Sequence, residues 1–171
     1  MSKRLFVLSI VCALLPLSAP LYSQNNAGVI LFGNARDVAM DYCLDSGSAG
    51  QFDRYYLEIK TQKFKYAEVI VTYPEHFSAS FDPTQIELYA TGGGDCRSGK
   101  PIPLESAKWD KEARRITVVP KEAIPANTPV RLVLSNVRNP NFAGLYQIDA
   151  WVLRADVPAP VYIGSWILGI D

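Results

Sequence analysis

From Tyr55 onward the chain is a succession of short runs in which apolar and polar residues alternate, most of them closed off by proline or glycine. The runs are YYLEIK from Tyr55, YAEVIVTY from Tyr66, QIELYA from Gln85, RITVVP from Arg115, VRLVLS from Val130, LYQIDAWVL from Leu145 and VYIGSWIL from Val161. Between them stand Pro74, Asp82-Pro83, Gly92-Gly93-Gly94, Pro120, Pro125 and Pro140. Successive side chains of an extended strand point to opposite faces, so a two-residue period paints one apolar stripe along each run. No stretch keeps a period of 3.6 residues over three turns. Short strands at this spacing, punctuated by Gly and Pro, predict an antiparallel sandwich or barrel.

The alternation also assigns faces. Val130, Leu132 and Leu134 share one side of their run, opposite Arg131, Val133 and Ser135, and Ile116 and Val118 oppose Thr117 and Val119. Asp82-Pro83-Thr84 has the cap and the N-terminal proline of a helix. The alternation of Ile86, Leu88 and Ala90 right after it favours a turn entering a strand instead. KEAI after Pro120 reads as one helical turn or a loop, and WDKEARR as a polar hairpin connection.

The first 23 residues have a different grammar. Lys3 and Arg4 precede an apolar run from Leu5 to Leu17, followed by small and polar residues, which is the layout of a secretory signal peptide. The apolar part falls short of the about 20 residues a membrane helix needs. Cleavage is expected after Ser23, which leaves residues 24–171 as a single domain with no further membrane span; cleavage after Ala19 or an uncleaved anchor are the alternatives. The whole chain has 17 basic and 17 acidic residues. Without Lys3 and Arg4 the mature part is slightly acidic, and its scattered Arg114, Arg115 and Lys121 form no phosphate-binding stripe, so nucleic acid is set aside. Cys12 lies in the leader. The remaining Cys43 and Cys96 are most simply a disulfide in an oxidising compartment, with two buried thiols as the alternative.

In order along the chain, YYLEI, FDPTQIELYA, GKPIPLESAKWDKEARRITVV, IPANTPVRLVLSNVRNPNFAGLYQIDAWVL and APVYIGSWILGI resemble the exported cyanobacterial proteins grouped as domain of unknown function 2808. Most weight rests on Arg138, Asn139 and Pro140, with Gly144, Tyr146 and Gly164 after them; the stretch before Tyr55 matches less well. That family supplies no activity and no catalytic residues to transfer. A looser resemblance runs to bacterial immunoglobulin-like modules, including periplasmic copper carriers, through Pro125 to Leu134 and Gly144 to Ile148. It implies an immunoglobulin-like β-sandwich. It does not imply copper, because the mature part offers only His76 and Met40 where such sites draw on several His and Met.

The polar residues ahead of LYQIDAWVL then read as a structural turn. Asn139 before Pro140 is pushed towards extended geometry, Pro140 and Asn141 suit the centre of a turn, and Gly144 is expected to take positive φ. Tyr146 resembles a tyrosine corner, its hydroxyl bonding back to the turn's backbone.

Other clusters favour bland readings. His76, close to Glu75, Ser78 and Ser80, is expected to be a solvated loop residue, since a triad is defined by geometry and not by adjacency. Asp37, Asp41, Asp45 and Asp53 have oxygen ligands suited to Ca²⁺ but no EF-hand spacing, and read as a polar loop. GGGD from Gly92 lacks the helix and lysine of a phosphate loop. Paired carboxylates of a glycosidase have no sequence signature here, since so many acids always provide pairs on paper.

Trp151, opposite Tyr146, Ile148, Ala150 and Val152, is expected to point outward beside Gln147 and Asp149. Trp109 is the second candidate for surface binding, and Trp166 is expected to be partly exposed with it. The expectation is an exported, non-enzymatic sandwich without metal or cofactor, of the periplasm or the extracellular space, with the thylakoid lumen equally compatible. It would bind an envelope component or serve as a structural module. The alternative is a carbohydrate-binding or carbohydrate-active protein using outward Trp and Tyr.

Overall fold

The computed structural model describes residues 38–92 and 95–171. The signal-peptide reading of residues 1–23, Asp37 and the Gly93-Gly94 pair lie outside the described residues.

Ten strands form among the described residues: β1 Tyr42–Leu44, β2 Phe52–Ile59, β3 Tyr66–Thr72, β4 Ile86–Ala90, β5 Lys100–Ile102, β6 Leu104–Asp110, β7 Arg115–Pro120, β8 Val130–Arg138, β9 Gly144–Arg154 and β10 Pro160–Ile170. They build two five-stranded sheets, ordered β1-β2-β8-β4-β5 and β10-β9-β3-β7-β6, in which every paired strand is antiparallel. The protein is an all-β, immunoglobulin-like sandwich. Seven strands coincide with the alternating runs. The other three, β1, β5 and β6, are short or polar edge segments with no apolar stripe to announce them. Ahead of β4, Asp82 caps a single 3-10 turn, Pro83–Gln85, and accepts from the Thr84 amide at 3.0 Å and its hydroxyl at 2.6 Å. The KEAI segment is a loop.

The inward stripes meet as predicted. Tyr55, Leu57, Leu88, Val130, Leu132 and Leu134 of the first sheet face Val69, Val71, Ile116, Val118, Ile148 and Val152 of the second. Each such side chain contributes about 1.5–3 kcal/mol on burial. Trp166, expected to be partly exposed, is completely buried in this core, and its indole donates to the Glu58 carbonyl of the opposite sheet at 2.9 Å. Its alternation partner is the reason: Leu168 and Ile170 share its inward face, and a bulge between Tyr162 and Gly164 sets that phase.

The outer face of the first sheet is partly covered. Arg131, Val133 and Ser135 point away from the core but are buried, and the β4–β5 loop lies against Arg131 and Val133. Cys43 on β1 and Cys96 in that loop form a disulfide, with Cα atoms 6.4 Å apart. The Arg131 guanidinium donates to the carbonyls of Ser98 at 2.6 Å and Asp95 at 3.0 Å, and pairs with Glu58. A covalent tie and a buried arginine thus hold the same loop.

Two chain segments pass from sheet to sheet at the sides of the sandwich. At one side β5 runs into β6 through Pro103, whose carbonyl accepts from Lys121 at 2.9 Å. At the other, Ala39 makes a parallel bridge to Ser165 on β10 before the chain joins β2 as β1. Gly164 permits this approach. Its φ is +144°, and a Cβ there would lie 2.5 Å from the Val38 carbonyl.

At one end of the sandwich the residues singled out as a turn form a polar knot. Asn139 is buried; its Oδ1 accepts from the Tyr55 hydroxyl, and its amide donates to the Ser48 carbonyl at 2.8 Å and Asp53 at 3.1 Å. Asp53 also accepts from the amides of Asp45, Ser46, Gly47 and Arg54. The Pro140 carbonyl accepts from the Gly50 amide at 2.8 Å, so the segment is a bend docked on the β1–β2 loop and not a two-residue turn. The Tyr146 hydroxyl donates to the Phe142 carbonyl at 2.7 Å, the geometry of a tyrosine corner. Gly144 does not take positive φ, so that role is corrected; Asn136, in the β8 bulge opposite Arg54, does so instead, at φ 57°.

Candidate functional site

The outer face of the second sheet has no layer over it among the described residues, and strand register fixes which side chains meet there. One row crosses all five strands as Ser165, Asp149, Thr72, Arg115 and Asp110. The next outward row, two residues along each strand and three along the bulged β10, runs Tyr162, Trp151, Ile70, Thr117 and Lys108. Neighbouring strands lie about 4.8 Å apart, which places Asp149 and Arg115 about 10 Å apart at the backbone with Thr72 between them.

Hydrogen bonds lock part of the polar row. Asp149 Oδ1 accepts from the Ser165 hydroxyl at 2.6 Å and the Gln147 amide at 2.9 Å, and the hydroxyls of Tyr162 and Ser165 meet at 2.5 Å. A carboxylate offers about four acceptor sites, so capacity remains for a ligand. Trp151 stands against Tyr162 edge to face, with centroids 5.1 Å apart, and its indole donates to Thr72 Oγ1 at 3.2 Å. Both rings are partly exposed. The side chains of Arg115 and Lys108 are exposed and make no ion pair among the described residues.

Two shallow clefts meet at Thr72. One, of about 350 Å³, is lined by Ile70, Thr72, Arg115, Trp151 and Pro160. The other, of about 450 Å³, includes Thr72, His76, Leu145, Gln147 and Asp149. Another cleft of about 450 Å³, at the β5–β6 crossing, is walled chiefly by Pro101, Ile102, Pro103, Ile124 and Pro125. It offers apolar packing but few directional contacts, and specificity in ligand sites comes from placed polar groups.

The two candidate tryptophans are not partners. Trp109 lies on the inward side of β6 opposite Ile116, edge-on to Phe81 at 5.6 Å, and donates to the Tyr73 hydroxyl at 2.7 Å. Burial pushes the Tyr73 phenol up, and the bond from Trp109 opposes that shift. Trp109 and Trp151 therefore occupy opposite faces of one sheet, and the expected two-tryptophan surface is replaced by Trp151 with Tyr162. The register shift between Leu104 and Ser106 produces this inversion.

His76 is exposed and stacks on Tyr146, with centroids 5.7 Å apart. Asp53 is saturated by N–H donors, and Asp45 pairs with Arg97 at 2.7 Å, so these acids do not converge on a cation. No three His, Cys, Asp or Glu side chains are grouped to hold a metal ion among the described residues. Sequence reasoning missed Thr72, Arg115 and Ser165 because their adjacency depends on register; only Asp149 and Gln147, alternating with the core residues beside Trp151, were visible locally.

The family model described as Protein of unknown function (DUF2808) matches residues 30–170. The chain belongs to this family. No curated protein matches it in sequence. Among solved structures, the DUF2808 chain is similar to BslA, a bacterial hydrophobin, at 13% identity and a TM-score of 0.52, covering 81% of this chain and 97% of that one. The likeness shows a shared fold. Weaker likenesses are to the collagen-binding domain of a Staphylococcus aureus adhesin, at 10% identity and a TM-score of 0.42 over 77% of this chain and 96% of that one. An uncharacterised Nocardia farcinica protein with an immunoglobulin-like fold has 10% identity and a TM-score of 0.43, over 78% and 98%.

Proposed function

We propose that this DUF2808 protein is exported, loses residues 1–23, and acts outside the cytoplasm as a non-catalytic binding module of the cell envelope through the outer face of its second sheet. The observation that carries the reading is the Trp151 and Tyr162 pair standing beside the hydrogen-bonded Ser165, Asp149 and Gln147 on a face that no other element among the described residues covers. Partly exposed aromatics flanked by ordered polar groups are the composition of recognition surfaces. Residues tied to one another in this way present fixed contacts, which suits binding. The Cys43–Cys96 bridge supports an oxidising compartment. No helix among the described residues is long and apolar enough to cross a membrane. The cyanobacterial envelope is the setting implied by the sequence resemblance.

The test is sedimentation of the exported protein with a purified envelope fraction from its native cell. Wild-type protein is expected to co-sediment and Trp151→Ala to remain in the supernatant while keeping its folded circular dichroism spectrum. Equal co-sedimentation of the two would overturn the assignment of this face.

A further inference from the structure

We infer that the ligand of this face is an acidic glycan, whose sugar rings lie against Trp151 and whose carboxylates meet Arg115 and Lys108; the inference rests on the binding role proposed above. A sugar ring has an apolar C–H face and a rim of hydroxyls, so it needs an aromatic surface next to hydrogen-bonding groups. The two outward rows supply that pairing at a separation of about 7 Å, two residues along a strand. A ring packed on Trp151 brings its hydroxyls over Thr72 and Asp149, the register neighbours one row away. Asp149 has acceptor capacity left and repels carboxylates, so it orients the hydroxyl side of the chain towards β9 and the acidic side towards β7.

The cationic corner is the second observation. Arg115 and Lys108 are diagonal neighbours across the β6–β7 pair, since Asp110 opposes Arg115 and Lys108 opposes Thr117. Such diagonals are about 7–8 Å apart. Neither cation has an ion-pair partner among the described residues, and the Asp110 carboxylate beside them accepts from the Ala113 amide at 2.8 Å. Arg115 in the wall of the Trp151 cleft and Lys108 diagonal to it complement an anionic polymer and leave a neutral one no reason to prefer this site. A peptide strand is a poorer fit, because β9, β3 and β7 are each paired on both sides and present no free backbone groups for strand addition.

The test is isothermal titration of the exported protein with oligomers of galacturonate, alginate and hyaluronan, each beside its carboxyl-reduced neutral form. Saturable binding to at least one acidic oligomer is expected, with the reduced form about tenfold weaker or worse and the difference shrinking as salt rises. Trp151→Ala is expected to lose about tenfold or more, as for an interface anchor. Arg115→Gln, a change at an exposed residue with no side-chain partner among the described residues, is expected to lose affinity for the acidic form alone and to flatten the salt dependence. Failure of all three acidic oligomers to bind overturns the inference, as does equal binding of the neutral forms or binding indifferent to both substitutions. If the oligomers fail while Trp151→Ala still releases the protein from the envelope, the glycan falls and the binding role stands. If Trp151→Ala leaves envelope binding unchanged, the binding role itself falls.

Discussion

The hydroxyl of Tyr55, on β2, donates to the side-chain oxygen of Asn139 at 2.5 Å, across 84 residues of chain and inside the protein. A residue that reads as the start of a turn is thus the hub joining β2, the β1–β2 loop and the end of β8. Truncation to alanine would leave the Tyr55 hydroxyl, the Ser48 carbonyl and one Asp53 contact without partners. At about 1–3 kcal/mol for an unsatisfied buried group, Asn139→Ala is expected to lose about 3 kcal/mol in urea unfolding. Asn139→Asp would set a second carboxylate beside Asp53, so its loss should be largest at neutral pH and shrink towards acid.

Two buried tyrosines give opposite expectations. Tyr146 donates to Phe142, and Tyr146→Phe should cost about 1 kcal/mol without altering envelope binding. The Tyr66 hydroxyl is buried with no hydrogen-bond partner among the described residues, so Tyr66→Phe should be neutral or stabilising by up to about 1 kcal/mol. Thermal unfolding of the two variants side by side checks both signs.

Alkaline stability follows from Tyr55 and Tyr66. Burial pushes both phenols well above their ordinary range, with the Asp53 and Tyr146 charges adding to the shift at Tyr55. Their folded values exceed the unfolded one, so their contribution is complete below about pH 10. Above that the unfolded chain ionises first, and stability falls until the folded phenols titrate. The urea midpoint is expected to start falling at about pH 10 and to go on falling as the pH rises further, and Tyr66→Phe should lessen the drop.

For the disulfide, alkylation of exported protein before reduction should label neither Cys43 nor Cys96, and mass analysis after reduction should show both. Closing a loop of 53 residues corresponds to about 4 kcal/mol in the chain-entropy model. Cys43→Ser with Cys96→Ser should lower stability towards that value and weaken protection of the β4–β5 loop in hydrogen exchange.

Alternation made the seven long strands and their inward stripes legible, because period-two burial is a local property of each run. The edge strands β1, β5 and β6 were not: β5 and β6 are separated only by Pro103, and Leu104 to Asp110 mixes charge with small residues because one side faces solvent. Faces failed wherever a bulge changes the phase, as at Ser106 for Trp109 and ahead of Gly164 for Trp166. Trp151 came out correctly, since β9 runs in phase from Tyr146 to Val152. The candidate site was half visible: residues of β9 could be aligned from one run, whereas Thr72, Arg115 and Ser165 join them only through pairing between strands distant in sequence.

The bridge between Cys43 and Cys96 also decides how the molecule bears a pull. Tension applied along the chain passes from Cys43 straight to Cys96, so β2, β3 and β4 lie off the loaded path. The segment between them, a sequence separation of 53, withholds about 180 Å of extensible length while the bond is intact. Under load the chain can therefore lengthen only at its outer segments, which include β5 to β10, while the segment carrying β2, β3 and β4 cannot be drawn out.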